Sequence, residues 1–178
     1  MKESVSRLQE VEITANTDKS SAINSMALIS ARQLTVEEAS RYAGGFDDPA
    51  RLASSFAGVA SGMQSNGIVI RGNPAKDLLW RLEGVEIPNP NHFSDYISFG
   101  AGGITALSSQ MLSNSDFLTA AFPAEYGNAL SGVFDLHLRN GNTDKKEYTL
   151  QAGLTGLDVS AEGPFSKKAR SSFLFNYR

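Results

Sequence analysis

The sequence predicts an α+β fold: a small mixed β-sheet domain with flanking short helices, followed by a C-terminal β-hairpin. The first supporting observation is the segment from Ile68 to Pro88, where three short strand patterns leave no room for a helix between them. The second is a pair of helix patterns that come before it, between residues 35 and 58. The third is the stretch after residue 142, where apolar and polar residues alternate over long runs.

The composition excludes several classes of protein. The 178 residues carry a net charge of -3, so nothing suggests a nucleic-acid partner. The absence of cysteine excludes a disulfide scaffold and a thiolate metal site. No run approaches the roughly 18 apolar residues of a spanning helix, and the N-terminus lacks the apolar core of a signal peptide. The sequence stops within a strand-like pattern at residues 173–178, so we expect a piece of a longer protein.

The chain begins with a polar segment and two helix patterns. Residues 16–25 have the composition of a linker. Thr35 and Glu38 form a capping box, which predicts a helix that runs to about residue 43. Asp48 as N-cap and Pro49 at the first helical position predict a second helix, which ends before Gly58.

The strands of the predicted sheet follow. Ile68–Ile70 is a β-branched run, and in Leu78–Leu82 the apolar residues at every second position share one face. Glu83 and Gly84 predict a tight turn into Val85–Ile87. Residues 104–112 have helical spacing, residues 117–119 read as strand and residues 123–127 as one helical turn. Residues 134–138 alternate as a strand with one buried and one solvated face.

The last part of the chain has a different pattern. Tyr148, Leu150, Ala152 and Leu154 share one face, as do Leu157, Val159 and Ala161. The phase changes at Gly156, which predicts a bulge, and Gly163-Pro164 predicts a turn. Long alternating strands resemble the start of a transmembrane β-barrel, and an ordinary amphipathic hairpin is the alternative. The first strand is longer than the usual ~5–6 residues, which favours the barrel.

No segment supports catalysis. The glycines at 100, 102 and 103 lack the preceding strand and the lysine of a phosphate-binding loop. Helix capping accounts for Asp47 and Asp48, and no serine lies in a Gly-x-Ser-x-Gly elbow. His137 reads as a surface residue of a strand. We therefore predict that the protein is not an enzyme and has no cofactor and no metal site.

Five short segments together resemble parts of one known family. They are Val11–Ala15 (VEITA), Asp47, Pro49 and Leu52–Val59, Ile70–Gly72 (IRG), Leu82–Pro88 (LEGVEIP), and Tyr126-Gly127 followed by Gly132–Leu136. From Val11 to Arg178 the order of segments resembles the plug domain of TonB-dependent outer-membrane receptors of the Bacteroidetes type, with the first barrel strands attached. The chain departs from the family where alanine replaces the proline of a "PGV" turn. It also departs at residues 114–119, which lack the arginine of "VEVLRGP".

The resemblance implies three units: residues 1–25 as the N-terminal segment, 26–142 as the plug domain and 143–178 as the first strands of a truncated barrel. The N-terminal segment would carry a TonB box at Val11, Glu12, Ile13, Thr14 and Ala15, although a first sheet strand would look the same. Arg71 is the expected plug–barrel contact. The expected substrate-facing apical loops carry Gln64, Asn66, Asn73, Lys76, Asn89, Asn91, His92 and Phe93.

The function implied by the resemblance is gating of an outer-membrane transporter. The plug would occlude the barrel lumen and couple extracellular substrate binding to TonB-driven import. Its partners would be TonB, its own C-terminal barrel, the outer membrane around that barrel and an imported substrate of unknown class, with a surface lipoprotein as a further candidate. The alternative is a free-standing periplasmic or surface α+β module that recognises a protein or a glycan. A small hydrolase would need a clustered nucleophile and base.

Overall fold

The computed structural model describes residues 21–35, 38, 41–42, 48–61, 66–96, 101–153, 156–166 and 171–178. Within these residues there is a short helix, α1 (Pro49–Ala53), and a 3₁₀ turn at Ala75–Asp77. The strands are β1 (Ala31–Leu34), β2 (Val59–Ser61), β3 (Ile68–Ile70), β4 (Leu78–Leu82), β5 (Val85–Ile87), β6 (Asn91–His92), β7 (Ile104–Thr105), β8 (Ser115–Leu118), β9 (Gly132–Leu136), β10 (Glu147–Gly153), β11 (Gly156–Pro164) and β12 (Ser172–Tyr177).

The central element is a five-stranded sheet with the strand order β1-β8-β9-β4-β5. Its β4 and β9 are parallel, and its other neighbouring strands are antiparallel. Two small ladders, β2-β3 and β6-β7, lie outside this sheet, and β10-β11-β12 form a separate three-stranded sheet. The predicted α+β class with a mixed sheet and short helices is confirmed. None of the helices in the described part of the chain is long and apolar enough to cross a membrane.

An aromatic cluster forms the main core on one face of the sheet. The strand register places Phe117, Phe134 and Trp80 side by side on three adjacent strands. The Trp80 and Phe134 rings are stacked with centroids 4.3 Å apart, and Phe117 lies 4.6 Å from Phe134. The side chains of α1 and β3 cover this cluster. Buried aromatic rings are a large source of stabilisation in protein cores.

The described contacts at Thr35 and Asp48 agree with the capping roles predicted for these residues. The Glu38 N–H donates to Thr35 Oγ1, and the Tyr42 N–H donates to the Glu38 carbonyl. In α1 the Ala50 N–H donates to the Asp48 carboxylate over 2.8 Å. The helix is shorter than predicted, since α1 ends at Ala53 and the chain continues through turns to β2.

Several other predictions were wrong. Residues 104–112 form β7 and a turn rather than a helix, because the hydroxyls of Thr105 and Ser108 accept backbone N–H groups that a helix would use. The strand β9 has no solvated face: all five of its residues are buried, Asp135 included. No bulge lies at Gly156. Gly153 pairs directly with Gly156, so the phase changes because the chain reverses direction between them. Gly163-Pro164 continues β11 and pairs with β12.

Candidate functional site

Two of the predicted apical loops border one open groove of about 330 Å³. Its walls come from the start of β4 and the end of β5, which lie side by side because Glu83 and Gly84 form a tight turn with left-handed φ values of 52° and 78°. The lining residues are Ala75, Lys76, Leu78, Leu79, Trp80, Glu86, Ile87, Pro88, Asn89 and Asp95. The groove therefore combines apolar side chains with one cationic and two acidic side chains.

A buried polar network, centred on Asn66, holds the next loop in place. The Asn66 side chain donates to Asp48 Oδ2 over 2.7 Å and to Asn91 Oδ1 over 2.6 Å. Asn66 and Gly102 also exchange two hydrogen bonds, since the Gly102 N–H donates to Asn66 Oδ1 and the Asn66 N–H donates to the Gly102 carbonyl. Asn89 accepts from both nitrogens of Asn91. We call these five residues the Asn66 network.

The network corrects the expectation that Asn66 and Asn91 face a substrate. Both side chains are buried and bonded to protein groups. Asp48 is buried at the start of α1 and needs hydrogen-bond donors there. Burial raises the pKa of its carboxyl, and the hydrogen bonds from Asn66 and Ala50 oppose this rise. Asn73 and Lys76 are exposed, as a substrate-facing role requires, and Gln64 lies outside the described residues.

The loop that follows Asn91 presents aromatic rings to solvent. His92 and Phe93 are exposed, and Tyr96 is 86% exposed. Phe93 and Asp95 adopt left-handed backbone conformations with φ of 58° and 67°. Such conformations cost of order 1–3 kcal/mol each and persist only where the surroundings enforce them. The Asp95 N–H donates to the Ala101 carbonyl, which fixes the loop next to the Asn66 network.

Arg71 lies in a tight turn rather than on a strand. Ile70 and Asn73 exchange backbone hydrogen bonds across this turn, in which Arg71 and Gly72 have φ values of 50° and 88°. The Arg71 side chain is exposed, and its Nη2 lies 3.4 Å from Ser30 Oγ. A contact between Arg71 and a barrel stays a prediction. The predicted TonB box, residues 11–15, lies outside the described residues.

The C-terminal sheet has its polarity reversed with respect to a sheet in water. Its exposed face carries Tyr148, Leu150, Leu157, Val159, Phe175 and Tyr177. Its other face, which lies against the central domain, carries buried Asp158 and Ser160. Asp158 accepts a 2.6 Å hydrogen bond from Ser108 Oγ and another from the Asn176 side chain. At β11 this sheet turns polar side chains inward.

A charged contact between the C-terminal sheet and the central domain joins Arg139 to Glu162. Both terminal nitrogens of Arg139 donate to the Glu162 carboxylate over 2.8 Å, and its Nε donates to the Gln110 carbonyl. The Asn142 N–H also donates to Glu162. The hydrogen bonds from Arg139 lower the pKa of Glu162. Sequence reasoning missed this contact, for which the available signal was a glutamate on the polar face of the long alternating pattern.

The arrangement offers side chains that can bind a ligand. The groove and the exposed aromatic loop offer ring faces, amides and charges. The described residues contain no group of three or more side chains that could hold a metal ion.

The sequence matches no protein-family model and no curated protein. Solved structures do share its fold. The ferric enterobactin receptor PfeA aligns with 78% of this chain at 15% identity and a TM-score of 0.52. The siderophore receptor PirA from Acinetobacter baumannii aligns with 79% at 16% identity and a TM-score of 0.53. This chain spans 23% of the length of each of them. The predicted resemblance to the plug domain of TonB-dependent receptors is confirmed at the level of the fold.

Proposed function

We propose that this chain is the gating domain of a TonB-dependent outer-membrane transporter, with the first strands of the barrel attached. The observation that carries the proposal is the reversed polarity of the β10-β11-β12 sheet. Tyr148 and Leu150 are each 75% exposed, whereas Asp158 and Ser160 are buried. A sheet in water would bury the first pair and expose the second. The observed order is favourable where lipid lies outside the sheet and a polar lumen lies inside it.

The polar contacts between the C-terminal sheet and the central domain suit a domain that has to leave a barrel wall. They include the Arg139–Glu162 ion pair, the Ser108–Asp158 hydrogen bond and the bond from Arg178 to the Leu107 carbonyl. Polar groups can exchange their protein partners for water when two surfaces separate, so the cost is smaller than for a dry apolar interface. Such a domain can occlude the lumen firmly and still be displaced.

The groove and the aromatic loop are the proposed substrate side. Lys76 supplies a cation at the groove, and Phe93 and Tyr96 supply exposed ring faces beside it. These groups suit a ligand that has flat or ring-shaped parts and hydrogen-bonding atoms. PfeA is named as a ferric enterobactin receptor and PirA as a siderophore receptor. A ferric siderophore is therefore the first cargo to test for this chain.

At the other end of the coupling, we propose that TonB binds residues 11–15 by strand addition and draws on the proton gradient of the inner membrane. Cargo on the groove would shift the domain towards a state in which this peptide is accessible. The domain would thus open the barrel when TonB pulls on its N-terminal segment. The full-length protein would reside in the outer membrane.

Two lysine substitutions on adjacent residues of β10 test the proposal. In the full-length protein, Leu150→Lys places a charge on the apolar face, where it costs about 2–4 kcal/mol near the bilayer midplane. Thr149→Lys places the same charge on the opposite, polar face and is the matched control. We expect Leu150→Lys to reduce the amount of protein in outer-membrane fractions and Thr149→Lys to leave more of it there. Equal membrane levels for the two variants would contradict the proposal and favour the free-standing binding module.

A further inference from the structure

A row of polar side chains crosses the central sheet on the face opposite the aromatic core. The register aligns Gln33, Asp116, Asp135, Arg81 and Glu86 on five neighbouring strands. Asp116 is 1% exposed and Asp135 is 7% exposed. Buried carboxylates require hydrogen-bond donors, so the groups that cover this row determine whether it is stable.

The chain itself covers Asp116, through the segment of residues 22–27, which we call the strap. The Ile23 N–H donates to Asp116 Oδ1 over 2.8 Å, and the Asn24 N–H donates to Asp116 Oδ2 over 2.7 Å. One carboxylate therefore holds two consecutive backbone amides. Charge-assisted bonds of this kind are roughly twice as strong as neutral ones.

The Asn24 side chain attaches the strap at a second point. It donates to Tyr126 Oη over 2.9 Å and also to the Glu125 carboxylate. Tyr126 in turn donates to Asp135 over 2.8 Å. Arg81 completes the cluster, since its guanidinium lies over the Tyr126 ring and donates to Glu125. The strap is thus tied to both buried carboxylates of the row, directly to Asp116 and through Tyr126 to Asp135.

Apolar contacts contribute little to holding the strap. Its large apolar side chains point outward: Ile23 is 49% exposed and Met26 is 70% exposed. The small side chains of Ala22 and Ala27 pack on the sheet, next to Leu118 and Val133. The apolar part of the attachment is therefore two alanine side chains on this buried cluster, and the hydrogen bonds to Asp116 and around Asn24 are its directional part.

We propose that the strap detaches from the central sheet under tension and that Asp116 is the residue that holds it in place until then. We call this attachment the clasp. The strap lies between residues 1–20 and β1, an edge strand that pairs only with β8 in the described sheet. Tension on the N-terminal side therefore reaches the two Asp116 bonds before it reaches the ladder of β1 and β8. The strap detaches first, and the central sheet keeps its fold. The source of the tension rests on the proposed function, whereas the order of detachment does not.

Amide hydrogen exchange in the full chain tests the clasp. The exchange is measured by mass spectrometry on peptides that cover the strap and β8-β9. In Asp116→Asn one carboxylate oxygen is replaced by an amide nitrogen, which cannot accept a hydrogen bond from the strap. We expect strap amides to exchange at least about tenfold faster, a factor that corresponds to about 1.4 kcal/mol, with β8-β9 unchanged. Asp144→Asn, in an exposed loop, is the matched control. Unchanged strap exchange, or equal acceleration of strap and β8-β9, would overturn the proposal.

A second variant covers the case in which Asp116→Asn does not fold. Asn24→Ala removes the side-chain bonds to Glu125 and Tyr126, together with the bond that the Met26 N–H donates to Asn24 Oδ1, and leaves both buried carboxylates in place. It should accelerate strap exchange alone, and a strap that stays protected in this variant would also refute the clasp. These measurements involve neither membrane nor TonB. Their failure would leave the Leu150→Lys test standing, and failure of that test would leave the clasp standing.

Discussion

Replacing Gly102 by alanine tests whether the Asn66 network holds the aromatic loop. An added Cβ would lie 2.6 Å from Asn91 Cβ and 2.8 Å from the His92 carbonyl oxygen. Neither atom is the end of a flexible side chain, so the backbone of the loop has to move. Overpacking of this kind costs about 1–3 kcal/mol, and each neutral hydrogen bond lost from the network adds about 1 kcal/mol. We expect Gly102→Ala to lower the free energy of unfolding by about 2–4 kcal/mol.

The assay is urea unfolding followed by fluorescence of Trp80, the one tryptophan in the sequence, whose ring is buried against Phe134. Gly103→Ala is the control, because a Cβ on this adjacent glycine would meet no atom within 4 Å among the described residues. It should change the free energy of unfolding by less than about 1 kcal/mol. Equal urea midpoints for the two variants would refute the reasoning, since they would show that the loop adapts freely around Gly102.

Two further predictions concern charge. Burial raises the pKa of Tyr126 to about 12, so the folded chain keeps a proton that the unfolded chain loses near pH 10. This contribution to stability is complete below pH 10 and is lost between about pH 10 and 12, and Tyr126→Phe should flatten that decline in urea midpoints. Arg139→Ala should lower the free energy of opening of the C-terminal sheet by about 1–3 kcal/mol, because Glu162 loses both guanidinium bonds. Hydrogen exchange in β11 measures this free energy. Lys145→Ala, which removes an exposed pair with Glu147, should leave β11 exchange unchanged, and an equal effect would contradict the reasoning.

Elements with strong local signals could be predicted from the sequence. The Asp48 cap, the Glu83-Gly84 turn and the alternation in β10 each depend on residues within a few positions of one another. The helix prediction for residues 104–112 was wrong because apolar spacing cannot show that a serine or threonine hydroxyl will accept a hydrogen bond from a backbone N–H. Local chemistry, more than periodicity, determined where these elements begin and end.

The candidate site could be predicted only in part. The two loops around residues 73–76 and 89–93 do meet at one groove, because the strands that they flank are paired. The burial of the Asn66 and Asn91 side chains was not predictable, since polar residues in a loop pattern are expected to be exposed. It follows from a contact with Asp48, which lies 18 residues from Asn66 in the chain. The parallel pairing of β4 with β9 likewise joins segments that local patterns cannot relate.

The clasp and the C-terminal sheet follow one physical rule. In both places a part of the chain meets the central domain through charged and hydrogen-bonded groups, Asp116 with the strap and Glu162 with Arg139, while the aromatic core lies within the domain itself. Interfaces of this kind are specific in geometry but lose little when water replaces the partner, whereas an apolar core loses its full burial energy. Force applied along the chain should therefore separate the parts at their polar contacts and leave the sheet around Trp80, Phe117 and Phe134 intact.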